Sequence, residues 1–79
     1  MQARLFESFV AAGAVDHVTI YRDPSASGWS LHAYGDEGAS LGVNAIEAAR
    51  GGVRTWASLD TVFSFARECG WSGPVAIDG

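Results

Sequence analysis

A chain of 79 residues, 48% apolar and with three Trp, two Tyr and four Phe, has room for one domain and is too hydrophobic to be disordered. Its formal net charge of −4 disfavours nonspecific nucleic-acid binding, which depends on cations neutralising phosphates. One cysteine, Cys69, allows no internal disulfide and suits a reducing, cytoplasmic interior, and no apolar run approaches the ~20 residues of a membrane-spanning helix.

The first segment, "MQARLFESFVAAGAV", superficially resembles a signal peptide. Glu7 and Ser8 interrupt its apolar run, and no separate basic stretch precedes it, so it reads as mature structure. Gln2 to Ala12 fits a short amphipathic helix, with Leu5, Phe6, Phe9 and Ala12 on one side and Arg4, Glu7, Ser8 and Ala11 opposite. Gly13 is placed to end it in the left-handed conformation.

Val15 to Arg22, "VDHVTIYR", is rich in β-branched and aromatic residues and reads as a strand. "DPSAS" follows as a loop. Gly28 to Gly35, "GWSLHAYG", alternates: Trp29, Leu31 and Ala33 on one face, Ser30, His32 and Tyr34 on the other. "GDEGAS" reads as a second turn. Leu41 to Arg50 fits either a helix stopped by Gly51 or a strand turning at Gly51-Gly52 into Val53–Ala57. The spacing favours the strand, because a helix there is barely two turns long and contains Gly42.

Ser58 is the expected N-cap of a second helix, with Asp60 in its first turn, where the helix dipole favours an acid. Leu59, Val62, Phe63, Ala66 and Cys69 form its apolar stripe; Asp60, Thr61, Ser64 and Glu68 form its wet side. Gly70 terminates it, and Trp71 falls where a residue packs back near Ala66. Phe65 lies off the stripe centre, so it either flanks the core or faces a partner. "PVAI" completes the chain as a short strand with Val75 and Ile77 facing one way. The expected fold is one α+β domain over 1–79: an antiparallel β-meander of about four strands, two helices and a short C-terminal strand.

Pairing the first two strands so that Val18, Ile20, Leu31 and Ala33 share the buried face puts His17, Thr19 and Tyr21 on one outer face with Ser30, His32 and Tyr34. In one such register His17 lies opposite Tyr34 and diagonal to His32, with Asp16 on the other face. Two histidines without an HxH or HxxxH spacing do not make a metal site, which takes three or four ligands. No metal or cofactor is therefore expected. An aromatic and polar sheet face does suit a protein partner, with Tyr21, His32 and Tyr34 as contacts, extended by Phe65. The competing reading is a half-exposed face covered by the first helix or a loop.

Catalysis finds no constellation in this chain. Cys69 sits in the last turn of its helix, where the dipole raises a thiol pKa. No serine lies in a nucleophile-elbow pattern, and the carboxylates scatter into turns. Arg50 and Arg54 flank the Gly-Gly turn and offer an anion or nucleic-acid contact through charge-assisted bonds, but without the strand–loop–helix context or the lysine of a P-loop. Solvated hairpin charges are the plainer reading. A meander also leaves an open edge, with no Lys to blunt it, so self-association as a homodimer is expected.

The five cations are all Arg, and Ala and Gly are abundant, a composition that fits a GC-rich bacterial genome. Gly28-Trp29, Arg50-Gly51, Arg54 with Trp56, Leu59-Asp60 and Gly70 together form a pattern. A glycine-aromatic strand is followed by an Arg-Gly turn, an Arg-x-aromatic strand, and a Leu-acid helix start closed by Gly. The pattern resembles the small ParC-type partition-associated proteins of proteobacterial plasmids and integrative elements. It spans most of the chain after Ala14, and Ala57 stands where that family often has a basic residue. The resemblance implies an accessory role in plasmid partition or maintenance and brings no catalytic residues. The expectation is a noncatalytic, protein-binding accessory module. The alternatives are a DNA-binding regulator using the Arg50/Arg54 hairpin and a mobile-element inhibitor of a host defence complex.

Overall fold

The computed structural model describes residues 1–23, 28–36 and 44–78, in the order α1 (Ala3–Ala11), β1 (His17–Asp23), β2 (Gly28–Tyr34), α2 (Leu59–Glu68) and β3 (Val75–Asp78). The expected "DPSAS" loop, most of the "GDEGAS" turn and the start of the Leu41–Arg50 segment lie outside the described residues.

β1 and β2 pair antiparallel, with His17 opposite Tyr34, Val18 opposite Ala33, Thr19 opposite His32 and Ile20 opposite Leu31. This register puts the apolar residues of both strands on one face. Val18, Ile20, Leu31 and Ala33 are all buried there with Phe6 from α1 and Val62 and Ala66 from α2. A slip of one residue would turn that whole set to solvent, which is why the register is well specified.

The sheet is not a four-stranded meander. Among the described residues it has three strands in the order β2-β1-β3, and β3 runs parallel to β1, with Val18 opposite Val75 and Ile20 opposite Ile77. The parallel pairing follows from α2, which carries the chain back before β3 enters on the far side of β1. Residues 45–56 form no ladder. One arm touches β2 at His32 and Ala45, the other at Trp29 and Trp56, and the two arms meet at Glu47 and Val53. Both arms thus share one β2 edge, each meeting it at a single bridge. The hairpin reading of this segment holds for its turn. Ala48 O accepts from Gly51 N–H and Ala48 N–H donates to Gly52 O, with Gly51 at φ +89°. This is the three-residue hairpin loop whose left-handed last position calls for glycine.

Both helices end in the same way. Ala14 N–H donates to Phe9 O and Gly13 N–H to Val10 O; Trp71 N–H donates to Ala66 O and Gly70 N–H to Arg67 O. Gly13 and Gly70 take φ of +73° and +95°, completing two Schellman caps. At the start of α2, Ser58 Oγ accepts from Thr61 N–H at 3.3 Å. The apolar stripe of α1 is rotated from the expected one. Phe6 is fully buried and Phe9 and Val10 half-buried, while Leu5 is 46% exposed and Ala12 is exposed. The direction of the sheet, not the count of apolar residues, selects which side of α1 faces in.

Candidate functional site: the outer face of the sheet

The face of β1 and β2 turned away from the helices carries His17, Thr19, Tyr21, Ser30, His32 and Tyr34. Their side chains form a contact lattice. The His17 ring stacks on Tyr34 with centroids 5.1 Å apart, and Tyr21 meets His32 edge-on at 4.6 Å. The two tyrosine hydroxyls come within 3.4 Å of each other. Ser30 Oγ lies 3.1 Å from His32 Nε2 and 3.5 Å from Tyr21 O. One hydroxyl proton serves only one of these acceptors. Either Ser30 donates to a bare Nε2, or it donates to Tyr21 O and receives the Nε2 proton.

The electrostatics follow from this packing. Burial, with the positive amino terminus second, holds the His32 pKa below the ordinary imidazole value, so the ring favours its neutral form. The hydrogen bond between the Tyr34 and Tyr21 hydroxyls, then burial and the like charge of Tyr21, push the Tyr34 phenol above its usual value. No arginine of the two strands belongs to this face. Arg22 alternates to the other side, with its guanidinium 5.8 Å from the centre of the Trp29 ring. At the β3 side the face continues through Ala76 and Asp78, paired with Thr19 and Tyr21.

Tyr21, His32 and Tyr34 are therefore brought together, and Phe65 is not among them. Phe65 belongs to the opposite, core side. It stacks on Phe6 at 6.2 Å, leans on Trp56 at 4.9 Å and packs half-buried against the core. Of its two expected placements, the flank of the core is the one seen. Asp16 also departs from expectation. It precedes β1, outside the alternation of the strand, and its carboxylate sits 3.0 Å from His17 Nδ1.

Arg50 and Arg54 do not converge on a common site. Arg50 is exposed in the hairpin turn. The Arg54 guanidinium lies over two rings, 4.7 Å from Trp56 and 5.0 Å from Phe65, where cation–π attraction holds it. Cys69 is buried, and burial raises its thiol pKa, with Glu7 and Glu68 adding to the rise. Among the described residues, no group of three or more His, Cys, Asp or Glu could hold a metal ion, and no helix is long and apolar enough to cross a membrane.

Two features escaped the sequence reading. Ser30 and Thr19 are buried at the floor of the outer face; their only sequence signal was their parity with the aromatic residues. A cavity of about 130 Å³ opens between α2 and β3, lined by Phe63, Ala66, Arg67, Trp71, Gly73 and Val75. The Trp71 indole forms one wall, held by Nε1–H donating to Pro74 O at 3.2 Å. It lies so close to Gly73 that a Cβ there would stand 2.6 Å from Cζ2 of the ring. Comparison with protein-family models, with curated proteins and with solved structures finds no match to this chain.

Proposed function

We propose that the protein is a noncatalytic protein-binding module that recognises its partner with the outer face of the sheet, through Tyr21, His32 and Tyr34. The observation that supports this reading is the lattice of mutual ring contacts. Aromatic side chains are enriched at the centres of protein interfaces. Here they are already held by one another, so little side-chain freedom remains to be lost on binding. The absence of arginine from the face and the presence of Asp78 at its margin favour a protein over a nucleic acid.

The setting we propose is the partition or maintenance of a plasmid or related mobile element, in the bacterial cytoplasm. That setting rests on the resemblance carried by Gly28-Trp29, Arg50-Gly51, Arg54, Trp56, Leu59-Asp60 and Gly70. Inhibition of a host defence complex would use the same face in the same way. Regulation by DNA binding would instead rest on Arg50 and Arg54, and the cation held over Trp56 and Phe65 is the feature that favours it.

The test is a comparative pulldown from a cognate host lysate with wild type, Tyr21→Ala/Tyr34→Ala and Arg50→Ala/Arg54→Ala. The reading expects a protein captured by wild type and by the arginine variant and lost with the tyrosine pair. Nuclease-sensitive capture that survives the tyrosine pair and fails with the arginine pair would overturn it.

A further inference from the structure

β3 is an edge strand, and among the described residues nothing pairs with its outer side. Which of its residues face that side follows from the ladder. Val18 N–H donates to Pro74 O, and Val18 stands opposite Val75. Alternate residues of a strand bond to a given neighbour, so Pro74, Ala76 and Asp78 turn their backbone toward β1, while Val75 and Ile77 turn theirs outward. The outward N–H and C=O groups of Val75 and Ile77 are thus the open template of this sheet.

Their side chains share the helix side of the sheet with Val18 and Ile20. Val75 is a wall of the cavity beside α2. Ile77 is a large apolar residue left 51% exposed.

We propose that the occupant of this edge is a second copy of the chain, joined antiparallel about a two-fold axis at Ala76. This register places Val75 opposite the partner's Ile77 and Ile77 opposite the partner's Val75. These are the residues whose backbone groups face outward, so the four-residue strand exchanges bonds at both positions. The same register sets the exposed Ile77 of each copy beside the cavity that Val75 lines in the other. The cavity, about 130 Å³, is close to the ~150 Å³ that accepts a benzene ring, enough for an isoleucine side chain. Asp78 falls opposite the partner's Pro74, not opposite another acid, so the pairing brings no like charges together at the strand ends. A two-fold contact of this kind is self-complementary and closes at the dimer. The edge is short, which puts the contact among the smaller, weaker interfaces and calls for measurement at high concentration. The outer face remains free in such a dimer, so this inference stands apart from the proposed function.

The test has two arms. Light scattering on wild type from micromolar to submillimolar concentration is expected to show the mass rising from 8.3 kDa toward twice that value. Ile77→Pro removes only an outward N–H and costs no bond to β1, and Ile77→Lys places a charge at the mouth of the cavity; both are expected to stay monomeric. The second arm uses Ala76→Cys in a Cys69→Ala background. Residues facing each other at a non-bonded antiparallel position stand ~4.5 Å apart, within disulfide reach. Oxidation is expected to cross-link Ala76→Cys and to leave Asp78→Cys uncoupled. A wild-type monomer at submillimolar concentration would overturn the proposal. So would a dimer that survives both Ile77 variants, or one that cross-links through Asp78→Cys and not through Ala76→Cys. Far-UV circular dichroism of each variant separates loss of pairing from loss of fold.

Discussion

Replacing Ser58 with alanine tests the account of α2 from its first residue. Ser58 Oγ accepts from Thr61 N–H at 3.3 Å and lies 3.2 Å from Thr61 Oγ1, which itself donates to Ser58 O at 2.8 Å. The first turn of a helix has backbone donors with no partner inside the helix, and this side chain serves one of them. Alanine leaves that donor to water, because the site is exposed, so the cost sits mid-range at ~1 kcal/mol. In a domain of this size ~1 kcal/mol lowers Tm by about 4–8 °C. The control is Glu68→Ala on the wet side of the same helix, expected within ~0.5 kcal/mol of wild type. At the other end, Gly70→Ala forces a side chain into φ +95° and should cost ~1–2 kcal/mol. Urea unfolding with equal slopes gives all three values. If Glu68→Ala lowers the midpoint more than Ser58→Ala does, the cap does not hold the helix as argued.

Phe65→Ala should destabilise the fold by about 2 kcal/mol, less than the ~3–5 kcal/mol of a fully buried Phe because the ring is half-buried, and should leave partner binding unchanged; a loss of binding at unchanged stability contradicts its core placement. His32 has a folded-state pKa below its unfolded value, so the unfolded chain binds the extra proton more readily. The stability from keeping the ring neutral is full above the unfolded pKa of about 6.5 and is lost as pH falls through the lower, folded value. Urea midpoints taken downward from pH 7.5 should fall more steeply for wild type than for His32→Gln, and identical profiles refute the burial argument. Cys69, buried and with its thiol pKa raised, should resist a disulfide reagent at neutral pH until the chain unfolds; prompt stoichiometric labelling of the native protein refutes this.

What could be read from the residues was local. The alternation of "HVTIY" against "GWSLHAY" fixed which face of each strand is buried, because an odd slip would turn Val18, Ile20, Leu31 and Ala33 outward; His17 opposite Tyr34 was one of the registers of that parity, and it is the one the structure adopts. Ser58, Gly13, Gly70 and the Gly51 turn were legible because each solves a backbone problem within four residues of itself. What was not legible depends on neighbours distant in the chain. The parallel entry of β3 beside β1 leaves no mark in "PVAI", since parity is the same for either direction. Leu5, expected inside, is left exposed and Val10 is half-buried because the position of the sheet decides which flank of α1 is covered. Phe65 is inside because Trp56 and Arg54, arriving from the hairpin, widen the apolar side of α2 beyond its expected stripe. Tyr21, His32 and Tyr34 were placed together from parity alone, while their mutual ring contacts needed side-chain geometry.

The central claim is that recognition runs through the aromatic outer face and not through the arginines. The most direct measurement is the affinity of the captured, purified partner for wild type, Tyr34→Ala and Arg50→Ala/Arg54→Ala, each titrated at low and high salt. A buried aromatic contact at an interface centre carries ~1–2 kcal/mol, so Tyr34→Ala should weaken binding by about tenfold. The arginine pair should bind as wild type does, and salt should change the affinity only mildly. A Tyr34→Ala variant that binds normally, with affinity that falls steeply with salt and vanishes with the arginine pair, would contradict the account.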